Sequence, residues 1–176
     1  VFVFDGGMSS RLNLEALEEG QLEFVTRLSN ATLCSLIKKL PSPVQLELGD
    51  QNRVMDVEHE GKRYVIAGGL WRKQRDKERR ELRLSKGEAA LEKLAAVKRK
   101  RTDAQKLASQ AGRALEKLKA HKYFQYHVDG EGRLQWERKA EAIEGEEAHD
   151  GWYLLHTNLD GQQASAGAVL AHYKNL

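Results

Sequence analysis

Residues 1–28, VFVFDGGMSSRLNLEALEEGQLEFVTRL, decide the architecture. Four consecutive β-favouring apolar residues, Val1 to Phe4, precede Asp5 and two glycines, which predicts a buried strand that ends abruptly in a turn. The acid sits on the C-terminal lip of that strand. From Asn13 to Glu19, Leu14 and Leu17 with Gly20 just beyond predict a short helix with its C′ glycine in place. LEFVTRL, residues 22–28, predicts a second strand. Strand, short helix and strand in this order make an α/β unit, which lays its two strands parallel. The lip of such a strand is where ligands and metals collect, and Gly6 and Gly7 let a phosphate or metal approach the backbone closely. An Asp after a strand is equally a turn former or a helix cap.

Downstream the pattern changes to alternation. RVMDVEHEGKRYVIAGG, residues 53–69, predicts two strands about a turn at Glu60-Gly61, and Ala67-Gly68-Gly69 reads as a turn without the Lys and Ser/Thr of a phosphate loop. A second hairpin is predicted from Tyr123 to Val128 and from Arg133 to Trp136, about Asp129-Gly130-Glu131-Gly132. Between the hairpins, residues 71–122 hold no proline and two glycines, and are rich in the strongest helix formers. Leu84, Leu91 and Leu94, then Leu107, Ala111, Leu115 and Leu118, draw one narrow apolar stripe. A single helix over residues 72–119 would be about 70 Å long, against a radius of gyration of about 16 Å for a compact chain of this size. The stretch therefore projects as an arm or folds back. Thr102-Asp103, with Gln105 following, marks a reversal, Ser85 with Glu88 is a competing cap, and an antiparallel helical hairpin is the favoured reading. The chain closes with an apolar strand from Trp152 to His156 and a helix from about Gln162 whose face is Val169, Leu170 and Tyr173.

Composition narrows the function. The 176 residues carry 29 Lys plus Arg, 26 Asp plus Glu and one Cys, which excludes a disulfide framework or a cysteine-rich zinc site and fits a reducing, cytoplasmic compartment. No window approaches a membrane span, and the apolar start is too short and lacks the basic flank of a signal peptide. The net charge of +3 conceals segregation: residues 71–122 hold 18 Lys plus Arg and 7 Asp plus Glu, a net of +11, while the other 124 residues hold 11 and 19, a net of −8. Lys98, Arg99, Lys100 and Arg101 form the densest run, and Arg79 and Arg80 belong to a second group. Such a footprint suits phosphate-backbone binding, because each neutralised phosphate releases counterions. The plainer reading is a solvated helical face, although a balanced one would carry more acid.

Taken together, VFVFDGGMSS, NLEALEE and LEFVTRL resemble the second-aspartate block of the DDE transposases of bacterial insertion sequences. At the far end, Tyr123-Phe124, Gly132-Arg133-Leu134 with Trp136, Asp150-Gly151-Trp152-Tyr153-Leu154-Leu155 and Thr157-Asn158 resemble the segment before the catalytic-glutamate helix in the insertion-sequence-four branch. Ala171-His172-Tyr173-Lys174 looks like the opening of that helix. The resemblance spans nearly the whole chain in order. It implies an α+β, mixed fold: a partial RNase H-like α/β core with an inserted antiparallel β region and a long basic helical hairpin. Residues 1–28 and 151–176 would be core. Residues 29–150 would be insertion, with the basic helical arm at 72–120. It also implies that three carboxylates hold two Mg²⁺ or Mn²⁺ ions, with Asp5 the second carboxylate, catalytic and metal-binding. Tyr173, Lys174, Arg79, Arg80 and residues 98–101 would contact transposon-end and target DNA, with a homodimer as the acting form. The first Asp would precede Val1 and the Glu would follow Leu176, so this chain alone would bind DNA without catalysis and, by itself, hold no ion.

Two departures from the family pattern stand out. Gly6 replaces an Arg beside the aspartate, and Leu176 stands where an Arg follows Tyr173. The missing initiator Met and the helix that stops in mid-pattern at Leu176 predict a longer natural polypeptide. The transposase reading requires the first two strands to be parallel, with Asp5 facing the N-terminal side of the last helix. The rival is a non-catalytic interaction module whose basic arm binds RNA, DNA or a partner helix, and it leaves Asp5 exposed and remote from that helix. The six His have no paired spacing, Asn30-Ala31-Thr32 is a chance sequon, Cys34 is a small buried residue, and Trp71, Trp136 and Trp152 are expected in the core or under the helices.

Overall fold

The computed structural model describes residues 1–40, 46, 51–96 and 104–176, which form two compact units, Val1–Gln74 with His149–Leu176, and Arg75–Ala148. The architecture is mixed α+β, with six α-helices, a five-stranded mixed sheet and a two-stranded sheet among the described residues.

The first unit opens as the sequence predicts. Strand β1, Phe2–Phe4, pairs in parallel with β2, Phe24–Leu28, in the register Phe2 to Phe24 and Phe4 to Thr26. Helix α1, Arg11–Glu19, joins them. It starts two residues before the expected Asn13, because the Ser10 hydroxyl caps it by accepting from Asn13 N. Its exit also differs. Gly20 keeps a right-handed φ of −75°, and the left-handed residue is Gln21, at φ 52°. Helix α2, Asn30–Lys39, was not anticipated; Ser29 caps it, and the sequon lies in its first turn.

The hairpin of β3, Arg53–His59, and β4, Lys62–Gly68, turns at Glu60 and Gly61, with φ of 51° and 71°. Positive φ at both central residues is the primed turn whose twist matches a two-residue hairpin. Ala67 and Gly68 end β4 rather than forming a turn. This hairpin, expected within the insertion, is hydrogen-bonded into the same sheet as β1 and β2. Strand β7, Trp152–Thr157, lies between β2 and β4, antiparallel to both, so the order is β1-β2-β7-β4-β3. All six β7 residues are buried, as a central strand covered on both faces requires.

Alternation sorts the two faces. On one, Trp152, Leu154 and Ile66 pack with Leu33 and Leu36 of α2. On the other, Val25, Val65, Tyr153 and Leu155 pack with Val169 and Tyr173 of helix α6, Ala166–Lys174. Helix α6 begins later than Gln162 because Asp160 accepts from Gln162 N and Gln163 N in a turn, and Ser165 then caps the helix. Of the three tryptophans, Trp152 is core, Trp136 is half-buried against the second core, and Trp71 is 72% exposed, contrary to expectation. Cys34 is half-buried rather than buried.

The second unit holds most of α3, Leu70–Ala95, all of α4, Ala104–Lys117, the hairpin of β5, Phe124–Val128, and β6, Leu134–Arg138, and helix α5, Ala140–Glu147, which was not predicted. The stripe residues Leu84, Leu91, Leu107, Ala111 and Leu115 meet Tyr123, Phe124 and Leu134 in one core. Residues 72–119 are therefore not one straight rod. Ser85 lies inside α3 and caps nothing, while Glu88 pairs with Arg138 at 2.6 and 2.7 Å. The reversal expected at Thr102-Asp103 lies outside the described residues. Gly87 has a packing reason: a Cβ there would sit 2.5 Å from the Phe124 ring and 3.3 Å from Ala120 Cβ.

Candidate functional site

Asp5 follows directly on β1, exposed at its C-terminal lip, and its carboxylate accepts from Gly6 N at 2.8 Å. That bond caps a 3-10 turn, Gly6–Met8, which Ser9 closes by donating its hydroxyl to Gly6 O at 2.7 Å. The plainer role of the acid, a cap, is thus present. A Cβ on Gly6 would stand 3.0 Å from Arg27 O, so the turn lies tight against the end of β2 and glycine fits there without displacing backbone.

The lip opens into a cavity of about 380 Å³ lined by Asp5, Gly6, Ser9, Arg27, Ser29 and Thr32, among others. Arg27 is the informative member. Its Nε is buried without a hydrogen-bond partner, and among the described residues no ion pair engages it. Its guanidinium lies 6.0 Å from the centre of the Tyr153 ring. Arg72, in the first turn of α3, approaches the same ring at 4.9 Å, and the Tyr173 ring lies 6.1 Å from it at 41°. Burial pushes the Tyr153 phenol up, against the opposing pull of Arg72 and Arg27.

This end of the sheet therefore gathers Asp5, Arg27, Arg72, Tyr153 and Tyr173. The correction concerns direction: the C-terminal turn of α6, carrying Tyr173, reaches this neighbourhood, not the N-terminal side. Sequence reading had singled out Asp5 and Tyr173 but not Arg27, Arg72 or Tyr153. Two signals were available. Arg27 shares the alternation of Val25, which places both on the α6 face, and Arg72 stands four residues beyond Gly68, the end of the β4 strand that pairs with β7.

The remaining expected contacts fall elsewhere. Lys174 is exposed at the end of α6, and Arg79 is exposed on α3. Arg80 is 3% exposed and its guanidinium pairs with Glu147 at 3.1 Å, which removes it from the phosphate-binding group. Beside that pair Lys122 donates to Glu146 at 2.8 Å, and the Tyr123 hydroxyl donates to the same carboxylate. Burial raises the Glu146 carboxyl, but these two hydrogen bonds outweigh it and hold the group below its usual range. Lys98, Arg99, Lys100 and Arg101 lie outside the described residues.

Asp5 is the one carboxylate lining the lip cavity, and among the described residues no three metal-ligating side chains gather. One carboxylate with three hydroxyls and a guanidinium is not the donor set of a two-ion centre. A larger cleft of about 710 Å³ lies at the opposite end of the sheet, lined by Glu18, Asp56, Glu58, Glu60 and Asp160 with Lys62, Arg63 and His156. Its arginine is already engaged: Arg63 grips Asp56 and donates to the carbonyls of Leu159 and Asp160, each at 2.9 Å. That acidic surface repels a polyanion. Among the described residues no helix is long and apolar enough to cross a membrane. No protein-family model, curated protein or solved structure matches the chain.

Proposed function

We propose that this chain is a DNA-binding piece of a DDE transposase, comprising part of an RNase H-like core and a basic helical hairpin. The reading places residues 1–28 and 151–176 in that core. In the complete enzyme Asp5 is one of three carboxylates that hold two Mg²⁺ or Mn²⁺ ions. Such ions would supply electrostatic stabilisation for phosphoryl transfer at transposon ends, with Asp5 as the one ligand that this chain would contribute. By itself the chain binds DNA and does not cut it.

The observation that carries the reading is the parallel β1-β2 pair with Asp5 on its lip, sharing a cavity with Arg27 and a neighbourhood with Tyr173. The arginine that the family pattern sets after the aspartate is Gly6 here, and Arg27 supplies a cation beside Asp5 from the neighbouring strand instead. Arg79, Lys174 and residues 98–101 extend the basic surface for transposon-end and target DNA, and a homodimer engages paired ends. Three facts favour the second reading, a non-catalytic binding module: Asp5 is exposed, the C-terminal turn of α6 rather than its N-terminal side lies at the lip, and the basic helices close a core of their own.

The two readings differ at the flanks of the gene. The transposase reading expects a Glu four residues beyond Leu176, and upstream of Val1 an Asp-bearing strand that pairs with the open edge of β1, where Phe2 is 54% exposed. Sequencing the flanking DNA decides it. Both carboxylates in place support the transposase, and their absence leaves the binding module.

A further inference from the structure

We infer that the outer face of helix α1 is a self-association surface, on which a second copy of this chain docks its own α1 antiparallel about a two-fold axis at Leu12. The inference goes beyond the reading just given and rests on exposure and charge alone.

Helix α1 carries apolar side chains on two sides. Leu14 is buried and Leu17 half-buried, which turns that side inward. Leu12 points the other way at 71% exposed, and Ala16, one turn on, is exposed with it. Met8, four residues before Leu12 and 60% exposed, extends the stripe, and its carbonyl is held to the helix by accepting from Asn13 Nδ2 at 3.0 Å. The charges around the stripe choose the occupant. Arg11 stands against Glu15, Glu18 and Glu19, so the helix repels nucleic acid and anionic lipid and suits a protein. The exposed Arg11 and Glu15 side chains lie 3.6 Å apart, which places both on one edge of the stripe. A two-fold contact is self-complementary: where residue i meets residue j, j also meets i. An axis through Leu12 sets the two Leu12 side chains together, puts Met8 of each copy against Ala16 of the other, and brings Arg11 beside Glu15 of the second copy, twice. A parallel pair would oppose Arg11 to Arg11 and Glu15 to Glu15, and only the antiparallel pair opposes the two helix dipoles. Nine residues make a helix about 13 Å long, too short to bury the roughly 800 Å² per copy of a standard interface, so the dimer is weak, with a Kd on the order of 100 μM.

The test is sedimentation equilibrium of the full chain, without DNA, from roughly 1 μM to 1 mM. Wild type is expected to pass from monomer to dimer towards the upper end. Leu12→Asp weakens the dimer about a hundredfold, since each copy loses an apolar contact and the two added charges face each other. Arg11→Glu and Glu15→Arg each weaken it about tenfold. An equimolar mixture of those two variants regains the wild-type affinity, because their reversed charges then attract across the axis, a result that no effect within one helix produces. All four positions are exposed or at the rim, and circular dichroism checks that each variant is folded. A wild type that stays monomeric throughout overturns the inference, and so does a dimer that Leu12→Asp leaves unchanged. A mixture that associates no more tightly than its separate components overturns the antiparallel arrangement. DNA binding by the chain is measured separately and is touched by none of these outcomes.

Discussion

Trp152→Ala is expected to lower the stability of the unit built on the five-stranded sheet by about 3 to 5 kcal/mol, out of the roughly 5 to 15 kcal/mol that hold a domain folded. Trp152 is 1% exposed and opens the central strand, where its indole packs with Leu33, Leu36 and Ile66. Truncation removes that contact and leaves a cavity that a central strand, fixed on both sides by ladders to β2 and β4, cannot collapse to fill. It also strips Leu46 O of the indole N–H that donates to it at 3.2 Å. Chemical denaturation checks this through the midpoint, and a midpoint equal to the wild type would contradict the assignment of β7 to the centre of the sheet.

The second large effect is a loss of stability in acid. His156 is 2% exposed, sandwiched between Phe24 at 5.2 Å and Tyr64 at 5.1 Å, and its Nδ1 has no hydrogen-bond partner. Burial, aided by the charge of Lys62, pushes its pKa from 6.5 down to about 4. The folded chain therefore binds fewer protons at this site than the unfolded chain between those two values. The contribution of neutral His156 is fully present above about pH 6.5 and is lost as pH falls through the folded value near 4. Its size is on the order of 3 kcal/mol. Carboxylates held low by partners, such as Glu88 beside Arg138, lose their own contribution in acid as well. The comparison that isolates the histidine is His156→Phe, which keeps the aromatic stack. Its stability, relative to wild type, should rise as pH drops from 7 to 4, and a constant difference would contradict the account.

What could be read from the sequence was local. Asp5 and the Gly6-Gly7 turn mark the end of β1, and Glu60-Gly61 marks the hairpin, because φ preferences act within a few residues. The pairing of Val25 with Thr157 has no local sign, so the place of β7 between β2 and β4 was illegible, although a run of six residues with almost no polar break already described a strand covered on both faces. Helix α2 was missed despite a signal: Ser29 stands as a cap, and Leu33, Leu36, Ile37 and Leu40 follow at helical spacing. Helix α5 offered little, since no residue in it is buried.

Arg80 shows the cost of reading charge without phase. It stands four residues before Leu84, on the stripe that continues through Gly87 and Leu91, so its burial followed from the periodicity that located the core. Arg27 and Arg72 converge on Tyr153 only through tertiary structure, and for that reason composition pointed to a basic arm but not to the lip.

Binding of duplex DNA by the intact chain, measured as affinity against salt between roughly 50 and 200 mM, tests the central claim most directly. The account predicts a linear fall of log affinity with log salt, with a slope of about 0.9 for every phosphate neutralised. It also predicts a clearly shallower slope when Lys98, Arg99, Lys100 and Arg101 are all replaced by Gln. No binding at the lowest salt, or the same slope in both proteins, would contradict it.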